Sequence, residues 1–160
     1  MSRLIAAIGA CLLLGDVPPP AVAGEPGAPA VEFMAAEDAG SIRLPFSDAV
    51  RVGDLLFLSG KLGNLPGTSK LASGGIRGET RQTMENIKAS LERHGASLSR
   101  VVKCTVFLAD MAEWAAMNEV YVQYFPEDPP ARSAVGVSGL ALGARTEIEC
   151  IAVLDPPAAD

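Results

Sequence analysis

The chain has 160 residues, 19 acidic side chains against 13 basic ones, a net charge of −6 and one histidine. That length suits one domain with a modest core. The acidic balance, with no Lys/Arg-rich block to offset it, argues against a nucleic-acid partner, and the absence of CxxC motifs and Cys/His clusters leaves no support for a metal site.

The first residues read as a signal peptide. Arg3 supplies the positive charge, Leu4 to Leu14 is apolar apart from Gly9, and Ala21-Val22-Ala23 is a small-x-small cleavage site. The apolar core, about eleven residues, falls short of the roughly 20 that a membrane-spanning helix needs, so no stable membrane insertion is expected. Cys11 follows Ile8-Gly9-Ala10, a weak likeness to a lipoprotein box. A chance apolar N-terminus on a cytosolic protein is the alternative. Cleavage after Ala23 leaves 137 residues, and the net charge is unchanged because the leader carries Arg3 and Asp16. Such a product is periplasmic or secreted. Residues 24–40, rich in Ala, Pro and Gly, read as a flexible arm before a single domain at 41–156.

Ala49–Val52 and Leu55–Ser59 are apolar runs about Gly53-Asp54, a hairpin signal. The glycine-rich stretch from Gly60 to Gly75 reads as loop, without a GxGxxG or Walker pattern. Gly78 to Gly95 reads as a helix with Met84, Ile87 and Leu91 inward and Arg81, Glu85, Lys88 and Glu92 in water. His94 falls in its last turn, where it suits the helix dipole.

Val101 to Leu108 alternates, with Val102, Cys104, Val106 and Leu108 on one face and Lys103, Thr105 and Phe107 on the other. Asp110 and Glu113 form a capping box for a helix from Met111 to about Phe125. Trp114, Met117, Tyr121 and Tyr124 make a core stripe, and Asn118 beside it must find hydrogen-bond partners if buried. Cys104 and Cys150 read as buried small hydrophobes, although an oxidising compartment would permit a disulfide.

Pro129-Pro130 stiffens the backbone entering Arg132, and Ala134-Val135-Gly136-Val137 reads as a strand with that guanidinium at its mouth. A planar fork held there pairs a carboxylate through two parallel hydrogen bonds; the plain alternative is a solvated surface charge. In the last strand, Arg145 to Leu154, Glu147 and Glu149 share a face with Ile151 and Val153. If a second subunit covers that face, a desolvated Glu147 has a raised pKa and can act as a base; otherwise the strand end is wet. Arg132 and Glu147 on neighbouring strands would suit chemistry on a small carboxylic acid. The order strand–strand–helix–strand–helix–strand–strand implies an α+β fold, two helices on one face of a mixed sheet. The mixed residues of the opposite face suggest subunit packing.

These segments resemble the RidA/YjgF family of reactive-intermediate deaminases. The likeness runs from about Pro45 to Val153. It is carried by Val52-Gly53-Asp54-Leu55-Leu56-Phe57-Leu58-Ser59-Gly60, Thr80 to Ile87, Val102 to Met111, Asn118-Glu119-Val120-Tyr121, Pro130-Ala131-Arg132-Ser133-Ala134-Val135 and Glu147-Ile148-Glu149. The resemblance implies a chorismate-mutase-like fold and a homotrimer with three clefts between subunits. It implies hydrolysis of 2-imino acids or their enamine tautomers to 2-keto acids and ammonia, without metal or organic cofactor. Arg132 would bind the substrate carboxylate and Glu147 would position the attacking water. Phe46, Ser59, Gly60, Asn118, Ser133 and Ala134 would line the substrate. Two positions depart from the family pattern: Phe46 stands where many active members carry tyrosine, and Gly136 where members often have glutamate. A non-catalytic module that binds a small carboxylic acid is the first rival. An endoribonuclease or translation inhibitor is the second, disfavoured by the acidic chain and the leader.

Overall fold

The computed structural model describes residues 27, 29–36 and 44–154. The leader, its cleavage site and Cys11 lie outside the described residues. Seven strands make one mixed sheet: β1 (Val31–Ala35), β2 (Ser47–Val52), β3 (Leu55–Leu58), β4 (Lys61–Leu62), β5 (Val101–Leu108), β6 (Ala131–Gly136) and β7 (Thr146–Val153). The order is β1-β2-β3-β7-β5-β6, β4 also pairs with β7, and among the described residues only β5 and β6 run parallel. Helices α1 (Gly75–Arg93) and α2 (Trp114–Tyr121) cover one face. Leu56, Met84, Ile87, Leu91, Val106, Leu108, Met117 and Ile148 are fully buried between helices and sheet, so the α+β expectation holds.

Several boundaries differ from the sequence reading. Val31–Ala35, within the segment read as an arm, is antiparallel to β2. Its alternating apolar residues suit a strand once an edge is available. Lys61–Leu62, read as loop, pairs with β7. Arg132 lies inside β6 rather than at its mouth. Val101, not Val102, is buried, because a bulge between Val101 and Lys103 resets the alternation. The second helix is α-helical only over Trp114–Tyr121, between 3-10 turns at Met111–Glu113 and Val122–Tyr124. The capping box is half formed: Asp110 accepts from Ala112 N–H, but Glu113 pairs with Arg145.

The expected β2–β3 hairpin is present, with Gly53 at φ 58° in its turn. Two irregularities interrupt the strand ladders. The β1–β2 pairing runs Met34 to Ala49 and Ala35 to Ser47, so Asp48 is the extra residue of a bulge. Between β3 and β4, Phe57 faces Ile151 while Lys61 faces Ile148. Four steps along one chain thus match three along the other, and Ser59–Gly60 sits in the break.

Cys104 and Cys150 are direct cross-strand partners, both buried, and form a disulfide. The reading of two free hydrophobes gives way to the pairing the register allows.

Candidate active site

Trp114, Asn118 and Tyr121 are spaced by four and three residues, which puts them on one face of α2. That face meets Arg132. Arg132 Nη1 donates to Asn118 Oδ1 at 2.6 Å. The guanidinium carbon lies 4.7 Å from the Tyr121 ring centre and 5.9 Å from that of Trp114. An amide on one nitrogen and two aromatic faces thus fix the plane of the fork. Among the described residues the Arg132 guanidinium makes no further hydrogen bond, which leaves donors for a planar anion. Burial pushes the Tyr121 phenol up to about 12 despite the nearby Arg132 charge, so it stays neutral. Ala134 follows on the same face of β6, half-buried.

Glu147 belongs to the other side of the sheet. Arg132 is in register with Cys104, and Cys104 with Cys150, on the helix-covered face. Glu147, three residues from Cys150 and opposite Phe107, therefore points away from the helices. Strand β5 also lies between β6 and β7. The expectation that Arg132 and Glu147 stand on neighbouring strands is corrected: within one chain they are separated by a strand and face opposite ways.

Glu147 packs on Gly60. A methyl built on Gly60 would collide with Glu147 Oε1 and lie 2.8 Å from Cδ, so a side chain here would push the carboxylate from its present place. Burial, then the like charge of Glu149 on the same face, raises the Glu147 pKa above its ordinary value of 4.5. A carboxylate so placed is a better proton acceptor than a solvated one.

Ser59 borders Gly60; its Oγ–H donates to Ser47 carbonyl at 2.6 Å. Phe46, just before Ser47, is 54% exposed and offers a ring without a hydroxyl. Ser133 is on the Glu147 side of the sheet, where its Oγ accepts from Lys103 Nζ at 2.9 Å. The predicted residues thus fall into two groups, Arg132 with Asn118 and Ala134, and Glu147 with Gly60 and the adjoining Ser59; Phe46 is linked to the second group only through its neighbour Ser47, whose carbonyl Ser59 bonds. Ser133 joins neither directly.

The sequence reading missed the aromatic support of Arg132. Tyr121 is buried as its stripe implied, but Trp114 is 41% exposed. Their spacing around Asn118 was the available signal. It also missed that His94 Nε2 lies 2.8 Å from Asp48 Oδ2. A separation of 46 residues gives no local signal for that contact. No group of three or more His, Cys, Asp or Glu side chains that could hold a metal ion occurs among the described residues.

A family profile described as Endoribonuclease L-PSP matches residues 37–154. The chain is 43% identical over 123 residues to "Reactive Intermediate Deaminase A, chloroplastic" of Arabidopsis thaliana, covering 77% of this chain and 66% of that protein. It is 44% identical over 112 residues to a 2-iminobutanoate/2-iminopropanoate deaminase of Capra hircus, 70% of this chain and 82% of that one. The E. coli protein TdcF, solved with bound serine, superposes with a TM-score of 0.69 at 31% identity, covering 78% of this chain and 99% of TdcF.

Proposed function

The chain belongs to the Endoribonuclease L-PSP (RidA/YjgF) family, and from that premise we propose that it hydrolyses 2-imino acids, of the 2-iminobutanoate and 2-iminopropanoate type, to 2-keto acids and ammonia. The observation that carries this reading is the split between an anion-binding fork and a proton acceptor on opposite faces of the sheet. Neither half is a complete site within one chain. A cleft between subunits, where the Arg132 side of one protomer meets the Glu147 side of the next, would join them. A cyclic homotrimer closes three such clefts. Two cross-strand apolar rows on the uncovered face support burial by a second copy: Phe33–Val50–Phe57–Ile151 and Val31–Val52–Leu55–Val153. Phe33 is 74% exposed in the single chain.

In this reading Arg132 holds the substrate carboxylate and so fixes the imine carbon. Water adds to that carbon as Glu147 takes its proton. Glu147 returns that proton to the nitrogen, giving a carbinolamine. It then takes the hydroxyl proton and passes it to the amino group as the C=O bond forms and the C–N bond breaks, so ammonia leaves with the 2-keto acid. The imine is already electrophilic, so a clamp and one base suffice.

The test is ammonia and keto-acid release from freshly generated 2-iminobutanoate above the spontaneous rate. Activity in the wild type, and its loss in both Arg132→Ala and Glu147→Gln, is the expected result. Equal rates in all three would remove the assignment. The missing hydroxyl at Phe46 favours one second reading, a module that binds small carboxylic acids without turnover. It would show Arg132-dependent binding of 2-oxobutanoate and no catalysis.

We also propose export to an oxidising compartment. The buried Cys104–Cys150 disulfide supports it, as does the leader-like composition of residues 1–23. N-terminal sequencing of the protein from its native host would read the cleavage after Ala23.

A further inference from the structure

Away from the Arg132 and Glu147 side chains lies a buried polar cluster that the proposed chemistry does not use. The bulge in β2 turns Asp48 into the helix layer, where it is 7% exposed. Asp48 Oδ2 accepts from Ser90 Oγ at 2.7 Å and lies 2.8 Å from His94 Nε2 and 3.4 Å from Arg93 Nη1. Its Oδ1 takes the ammonium of Lys61. Lys61 is in register with Ile148, so its side chain points to the helix side, away from Glu147. It is only 16% exposed.

Asp48 and its neighbour Ser47 in β2 grip the break between β3 and β4 at further points. Ser59 N–H donates to Asp48 carbonyl at 3.1 Å, and Ser59 Oγ–H to Ser47 carbonyl at 2.6 Å. Gly60 is therefore held on both flanks, by Ser59 and by Lys61, and Gly60 is the surface on which Glu147 lies. Bulges of this kind re-aim a side chain next to functional sites. The β3–β4 break has no pairing with β7 at Ser59–Gly60, so the Ser59 backbone bond and the Ser59 and Lys61 side-chain anchors set its position.

We propose that Lys61, anchored by Asp48, is a positioning residue that fixes the Gly60 wall and through it the orientation and desolvation of the Glu147 carboxylate. This rests on the reading of Glu147 as the base. Lys61 does not touch substrate; it acts from the opposite face of the sheet.

The sharpest variant is Lys61→Met, which keeps the stem and leaves Asp48 with Ser90, Arg93 and His94. Lys61→Gln, which can still donate to Asp48, is the conservative control. With 2-iminobutanoate the expected result is a kcat about tenfold lower in Lys61→Met, since a shift of well under 1 Å at the base suffices for that. KM and 2-oxobutanoate binding stay within about twofold, because Arg132 governs them, and Lys61→Gln restores kcat. An unchanged kcat in Lys61→Met, or a change confined to KM, overturns the proposal.

A second readout is independent of turnover. The Glu147 carboxylate, followed by carbon NMR, has Gly60, Leu62, Phe107 and Glu149 about it. If the wall relaxes in Lys61→Met, Glu147 is better hydrated and its titration midpoint falls. Direct loss of a cation would raise it instead, so an unchanged or raised midpoint also overturns the proposal. Wild type without turnover would remove the enzymatic reading. The titration would still decide whether Lys61 positions Glu147.

Discussion

The two halves of the candidate site are built differently. Arg132 is finished within its own chain: Asn118 holds one nitrogen, and Tyr121 and Trp114 hold the plane. Glu147 rests on a glycine in a strand break, beside a like charge, on the sheet face away from α1 and α2. One half is a preorganised clamp. The other is a group kept at raised energy, whose surroundings only an assembled oligomer would complete. Binding and chemistry should therefore separate on mutation.

The strongest way to break this contrast is Gly60→Ala. The new methyl cannot coexist with Glu147 in its present place. Turnover of 2-iminobutanoate is expected to fall about a hundredfold, the scale of a misplaced catalytic group. Binding of 2-oxobutanoate by calorimetry should stay near wild type. Loss of both together would show that the halves are not separate.

Asn118→Ala probes the other half. It removes one hydrogen bond to a charged group, worth roughly 1.5–3 kcal/mol. The expected signature is a KM raised about tenfold or more with a smaller change in kcat. A fall in kcat alone would move Asn118 to the chemical step.

Asp48→Ala tests the frame behind Glu147. Burial by itself would raise the Asp48 pKa, but bonds from Lys61 and Ser90, the Lys61 charge and the His94 contact outweigh it. They hold Asp48 at about 2, against 3.8 when unperturbed. Because the folded-state value is the lower one, the ionised form stabilises the fold above pH 3.8, and that stability is lost as pH falls towards 2. The shift corresponds to about 2 kcal/mol. Denaturant titrations should show the variant weaker at neutral pH and the gap closing at low pH. A gap that is constant with pH would assign the loss to packing.

The smallest expected effect is that of Glu149→Gln. Removing this like charge leaves burial as the main cause of the raised Glu147 pKa. The acid limb of the kcat/KM profile should move to lower pH without disappearing. An unmoved limb would detach Glu149 from Glu147.

Local rules written in the chain determined much of this architecture. Apolar residues three and four apart set the inward face of α1 at Met84, Ile87 and Leu91, and Gly53-Asp54 set the hairpin. Strand alternation put Glu147 and Glu149 on one face, and the ordered segments from Val52 to Glu149 pointed to the family. Each of these signals is complete within a window of a few residues or within the order of motifs. Tertiary structure alone decided the rest: that β5 separates β6 from β7, that Arg132 and Glu147 face opposite ways, and that Cys104 meets Cys150. It also drew Lys61, Ser90 and His94, which are 13, 42 and 46 residues away in sequence, around Asp48. These depend on strand register and on single-residue bulges. A one-residue slip reverses every side chain beyond it, and no local periodicity records where the chain takes it.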